Sequence, residues 1–246
     1  SGSSSNTEVS GRDVIYAVNA VKMIEKLDKN NNNNPWFQVV SLCNPHDISL
    51  YGLLTKQLDQ YKFSIDSSIP YIPPSPTANE FLDTKLFCQI QYKEKYQIRF
   101  QPTIDTEEYR KLYYSLILNA DKNLEKVLNK LNISRFKDNT IVVFLSDHGD
   151  YLGSHGLFQK WYSAYEEAIH VPLIIKIPKS LRTSETLSKG SKIDMLTSNI
   201  DVLPTLLGLC GINKKKSLTE LIKTHTNARK LVEHDLSSYI LIKNKL

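Results

Sequence analysis

The sequence predicts an α/β fold: a mainly parallel sheet with helices on both faces. Three observations carry that prediction. Stretches 10–27 and 106–131 repeat apolar residues at steps of three and four, the period of amphipathic helices. Stretches 36–43, 140–145 and 171–177 are short, apolar and rich in β-branched residues, as buried strands are. The second of these, TIVVFL, has almost no polar interruption, which suits a central parallel strand covered on both sides.

The elements follow in order. In the first helix Val14, Val18, Val21, Ile24 and Leu27 form the apolar stripe, with Ser10 as N-cap. Asn30 to Asn34 and then Pro35 break it, and the Asn run reads as a mobile loop. WFQVVSLC, residues 36–43, is the first strand. Residues 47–77 lack a period, and Pro70, Pro73, Pro74 and Pro76 make their end an extended surface segment. A helix is expected over 79–91. In the 106–131 helix Tyr109, Leu112, Leu116, Val127 and Leu131 share one face, interrupted by Asn119 and Asn123. Strands follow at 140–145 and 171–177. A short helix spans 199–209, with Pro204 early and Gly211 just past its end.

The chain has 246 residues, enough to bury a core, and its 41% hydrophobic and 23% charged content is ordinary for a globular protein. No apolar run reaches the roughly 18–20 residues of a helical membrane span. No membrane partner is therefore expected. Cys43, Cys88 and Cys210 make no CxxC pair and read as small core residues. Residues 1–175 carry a balance of −2 and residues 176–246 one of +7. No aromatics interleave with Lys214, Lys215 and Lys216, so the basic end reads as a solvated face and no nucleic-acid partner is expected. The domain reading is a polar tail at 1–9, an α/β core at 10–212 and a basic segment at 213–246.

Chemistry concentrates after the 140–145 strand. Of nine glycines, Gly149, Gly153 and Gly156 fall within eight residues there, in SDHGDYLGSHGLFQKW, residues 146–161. Ligands of open α/β sheets bind at the carboxyl ends of strands. An Asp and a His at such an end, on a tight turn, make half of a metal site. Asp147 is the firmest candidate, since a carboxylate closing a buried strand needs a partner.

This stretch, with Tyr165-Glu166-Glu167-Ala168-Ile169-His170-Val171-Pro172 after it, resembles the second half of the sulfatases, in the alkaline-phosphatase-like superfamily. Asn44-Pro45-His46-Asp47 after the first strand, the long helix before the metal strand, Asp138-Asn139-Thr140 leading into it, and the Asp201-Val202-Leu203-Pro204-Thr205 helix fall in the family's order. The resemblance covers roughly 10–212 and implies a partial alkaline-phosphatase-like core. It implies that Asp147 and His148 are metal ligands, usually for Ca²⁺, with Mg²⁺, Mn²⁺ or Zn²⁺ as alternatives that an imidazole admits. It makes Lys160 and His46 the catalytic, sulfate-binding pair, and places His155 near enough to join the substrate pocket. Glu166 and Glu167 are read as orienting the loop.

The resemblance also implies a formylglycine nucleophile, made from a C/S-x-P-x-R motif that this sequence lacks. Cys43-Asn44-Pro45-His46-Asp47 has Asp where Arg is required, and no Asp-Asp pair exists to complete the metal site. The start at Ser1 reads as a boundary inside a larger protein. An N-terminal half of the same enzyme, on another segment or chain, is therefore an expected partner. The expected substrate is a sulfate ester, either a small molecule or a sulfated glycan. The alternatives are a phosphodiesterase or phosphonate monoester hydrolase of the same superfamily, and a non-catalytic binding fragment.

Overall fold

The structure is a computed structural model that describes residues 12–30, 32–51, 64–99, 105–183, 186, 188–212, 219, 220, 223 and 234–241. The expected tail at 1–9, the Ser10 cap, part of the 47–77 stretch and most of the basic 213–246 segment, with Lys214, Lys215 and Lys216, lie outside the described residues. The chain divides into two compact units: 1–137 with 143–175, and 138–142 with 176–246.

Three helices frame the first unit: α1 (Asp13–Lys29), α2 (Phe87–Arg99) and α3 (Glu107–Ile133). α1 packs along α3. Its buried residues are Asp13, Ala17, Ala20 and Ile24, one narrow stripe at steps of four, three and four. This corrects the valine stripe read from the sequence, since Val18 is 40% exposed. The small Ala17 and Ala20 lie on the inward face. α3 matches its predicted span. Thr106 caps it by accepting from the Tyr109 N–H at 3.1 Å, and Asn123 satisfies itself inside the buried stripe by donating to the Asn119 carbonyl at 2.9 Å.

Two expectations change, for α2 and for the cysteines. α2 starts eight residues later than predicted, because 75–85 is spent on successive turns, with Ala78 N–H bonded to Ser75, Glu80 to Thr77 and Lys85 to Leu82. Arg135 contacts the Asn run. The Arg135 guanidinium donates to the carbonyls of Leu27, Asn30 and Asn32 and to the Asn33 side chain. Cys88 and Cys210 are exposed, not core residues.

Stretch 36–43 is not a strand, and Phe37 and Val39 are about three-quarters exposed. A strand needs a neighbour to complete its ladder. Among the described residues only β1 (Val142–Leu145) and β2 (Leu173–Lys176) pair, in a two-stranded sheet. β1 is likewise less covered than its sequence suggests, with Phe144 and Leu145 exposed.

The core of this unit is largely aromatic. Tyr92, Tyr96, Tyr109 and Tyr151 pack with Leu112, Leu116, Leu157 and Phe158. Ring centroids lie 5.4 Å (Tyr92–Tyr96), 5.8 Å (Tyr96–Phe158) and 5.6 Å (Tyr109–Phe158) apart, an edge and offset geometry that favours such clusters. Tyr151, Leu157 and Phe158 come from the loop after β1, so that loop is part of the core. It is followed by the short α4 (Glu166–Ile169).

In the second unit a 3-10 turn, Asn199–Asp201, leads into α5 (Val202–Leu209), and α6 (Ser237–Leu241) packs against it. The buried Asp201 accepts from the Ser198 N–H at 2.8 Å and the His234 N–H at 2.9 Å. Gly211 takes φ +70° just past α5, the terminator read from the sequence. Among the described residues no helix is long and apolar enough to cross a membrane.

Candidate functional site

The site is built on the first unit, where the chain leaves β1. Gly149 donates its N–H to the Ala168 carbonyl at 2.8 Å. A Cβ at Gly149 would stand 1.9 Å from the Glu167 carbonyl oxygen, so only glycine allows the loop to lie against α4. The loop then closes on itself. Tyr151 N–H meets the Gln159 carbonyl at 2.7 Å and Gly153 N–H meets the Leu157 carbonyl at 3.0 Å. Leu152, His155, Gln159 and Tyr162 all adopt positive φ, from 45° to 62°. Non-glycine residues rarely hold that conformation, and it persists where the surroundings over-determine it. Here the surroundings are the buried Tyr151, Leu157 and Phe158, with Tyr92 Oη donating to the Phe158 carbonyl at 2.7 Å. The reversal at Gln159 brings Lys160 out of the core.

Lys160 meets His46. Its Nζ lies 3.5 Å from His46 Nδ1, across 114 residues of sequence. His46 opens a 3-10 turn, His46–Leu50, whose N–H bonds run from His46 to the Cys43 carbonyl and from Ile48 to the Pro45 carbonyl. Partial burial lowers the His46 pKa, and the Lys160 ammonium lowers it further. Asp47 and Asp147 oppose this, and His148 adds to it. The four residues His46, Asp147, His148 and Lys160 therefore share one electrostatic neighbourhood.

Asp147 and His148 are the residues that would hold a metal ion here. His148 Nδ1 lies 2.8 Å from the Gly149 carbonyl, which can only accept. Its Nε2 lies 3.5 Å from Asp147 Oδ2. An imidazole oriented by a carbonyl, with its other nitrogen beside a carboxylate oxygen, is the donor arrangement a divalent cation uses. Among the described residues no group of three or more His, Cys, Asp or Glu gathers closely enough to hold a metal by itself.

His155 has its own set of partners. It is buried, stacks on Tyr165 at 3.7 Å, bonds Glu80 through Nδ1, and lies 3.5 Å from Glu167 through Nε2. Its N–H also reaches Thr77 Oγ1 at 3.2 Å. These contacts fasten the loop to segment 75–80. Glu167 thus acts on the loop, while Glu166 pairs with His170 at 2.9 Å.

Two carboxylates were not singled out from the sequence. Asp150 accepts from the Leu152 N–H at 2.8 Å and from the Gln159 backbone, bracketing the loop that presents Lys160. Burial pushes its carboxyl up to about 7, against the pull of those bonds and of Lys160. Its signal was its place inside the motif itself. Asp13, fully buried at the start of α1, accepts from the backbone of Cys43 and Asn44. Its signal was an acid in register with Ala17, Ala20 and Ile24.

Comparison with known proteins places the chain among related sequences and folds. The family model described as Sulfatase matches residues 5–212. The chain is 30% identical over 222 residues to a sulfatase of Formosa agariphila, covering 84% of this chain and 39% of that protein. It is 37% identical over 106 residues to N-acetylglucosamine-6-O-sulfatase of Bacteroides thetaiotaomicron, covering 43% of this chain and 18% of that protein. The chain thus spans less than half the length of these curated relatives. Among solved structures, a 2-O GAG sulfatase superposes with a TM-score of 0.68 at 21% identity, covering 96% of this chain and 47% of that one. A protein solved in complex with its substrate D-glucosamine-2-N,6-O-disulfate superposes with a TM-score of 0.54 at 20% identity, covering 92% of this chain and 51% of that one. The fold is that of an alkaline-phosphatase-like core in part.

Proposed function

The chain belongs to the sulfatase family, and on that premise we propose that it supplies the sulfate-binding side and part of the metal-binding side of a site that hydrolyses sulfate esters. The observation that carries this reading is the approach of His46 Nδ1 to Lys160 Nζ at 3.5 Å, in the neighbourhood of Asp147 and His148.

Lys160 is a fixed positive charge. As the bond between sulfur and the bridging oxygen breaks, negative charge grows on that oxygen, and an ammonium beside it lowers the barrier. His46 is held towards its neutral form by burial and by Lys160. A sulfate between the two groups brings a negative charge that reverses this push. The ring then takes up a proton it can give to the departing oxygen. Asp147 and His148 would hold a divalent cation, Ca²⁺ first, with Mg²⁺, Mn²⁺ or Zn²⁺ as alternatives. When bound, the cation supplies positive charge that orients and polarises the sulfate oxygens. The formylglycine nucleophile and the remaining ligands would come from an N-terminal half on another segment or chain. The absence of C/S-x-P-x-R and Asp-Asp motifs from these 246 residues supports that reading. The substrate would be a sulfate ester of a small molecule or a glycan. The sulfatase named for N-acetylglucosamine and the structure bound to a disulfated glucosamine support the sugar class.

The test uses a polypeptide joining this chain to a segment that carries C-x-P-x-R, assayed with an aryl sulfate and an aryl phosphate diester. Sulfate turnover should dominate, and Lys160→Ala should lower its kcat by about 10²–10³-fold with the melting temperature unchanged. Faster turnover of the diester would make the protein a phosphodiesterase instead. No turnover of either, with no metal retained, would leave a non-catalytic binding fragment.

A further inference from the structure

Asp13 is a buried carboxylate that the chemistry above does not use. An ionised acid inside a protein is costly unless its oxygens are hydrogen-bonded. Those of Asp13 are bonded to two consecutive backbone amides: Oδ1 accepts from the Cys43 N–H at 2.6 Å, and Oδ2 from the Asn44 N–H at 3.0 Å. The same Cys43 offers its carbonyl to the His46 N–H at 3.0 Å. One short path therefore runs from the Asp13 carboxylate through the 43–44 backbone to the turn that carries His46. The other end of the path is anchored, because Asp13 shares the stripe by which α1 packs on α3.

We propose that Asp13 is a positioning residue for His46, holding the 43–46 turn so that the imidazole faces Lys160. Segment 36–43 has no ladder partner among the described residues, so the carboxylate supplies a fixed point that a sheet would otherwise give. The catalytic meaning of this role rests on the sulfate-binding reading of His46, but the test reads no turnover and so stands apart from it.

The 246-residue chain is labelled at histidine and followed by NMR, with the His46 ring signal assigned by its loss in His46→Gln. Lys160→Met should raise the His46 titration midpoint, since it removes a positive charge beside the ring. Asp13→Asn keeps the shape of the side chain but can accept through only one oxygen, releasing one of the two amides. In that background the shift caused by Lys160→Met should lose most of its size. Should Asp13→Asn not fold, Asp13→Glu, which keeps the charge and displaces it by one methylene, is read in the same way. A folded variant in which Lys160→Met still gives its full shift would overturn the proposal. Asp13 would then only tie α1 to its neighbour.

Discussion

Asp150 shows how one buried side chain can set a pH response. Its folded pKa of about 7 is raised by burial, while an unfolded Asp titrates near 3.9. Across that window the folded state holds a proton the unfolded state has released. Stability from this group is therefore fully present below about 3.9 and is lost as pH rises to about 7. Asp150→Asn cannot titrate. The parent's melting temperature, measured against that of Asp150→Asn over this range, should fall as pH rises. A constant difference would mean the carboxyl is ionised throughout. His46 runs in the opposite sense. Its lowered pKa makes protonation unfavourable in the fold, so its contribution is lost as pH falls below the ordinary histidine value of about 6.5. Lys160→Met should reduce that loss, as thermal melts on the acid side would show.

At the scale of elements, the loop after β1 is both core and candidate site. It buries Tyr151, Leu157 and Phe158, lies against α4 through Gly149, and presents Lys160 where it emerges. Gly149→Ala forces a carbon into the Glu167 carbonyl and should destabilise the chain by about 1–3 kcal/mol, read from the urea midpoint. Because the same loop carries Asp147, His148 and Lys160, the variant should also displace the Lys160–His46 contact. A wild-type His46 titration in a destabilised Gly149→Ala chain would separate packing from site geometry. Much of this loop was legible in sequence, since a glycine and titratable cluster after an apolar strand is a local pattern. The role of His155 was less so. It lies on the same loop as Lys160, but a positive φ turns it towards Glu80, Glu167 and Tyr165. Which way a loop residue faces depends on backbone torsions that spacing does not encode.

At the scale of the molecule, the proposal that Asp147 and His148 hold a cation sets a limit on metal binding by this chain. Ca²⁺ takes six to eight oxygens, and Asp147 and His148 together offer few. The 246-residue chain should bind Ca²⁺ weakly, with little change on Asp147→Ala. In the longer polypeptide the same substitution should remove tight Ca²⁺ binding, measured by calorimetry. Tight, Asp147-dependent binding by the 246-residue chain would show that its own residues complete the site.

By itself the sequence determined the long helix α3, the place of β1 and β2, the terminator at Gly211 and the cluster of glycines and titratable residues after β1. Each of these follows from a period or cluster within a short window, where the covalent chain keeps neighbours close. Only the tertiary structure decided that α1 turns its alanines inward, that 36–43 has no ladder among the described residues, that Asp13 is buried under Cys43 and Asn44, and that His46 stands beside Lys160. The physical reason is common to all four. A ladder, a helix contact and a charge–charge interaction depend on distances in space between groups far apart along the chain, and no local pattern records those distances.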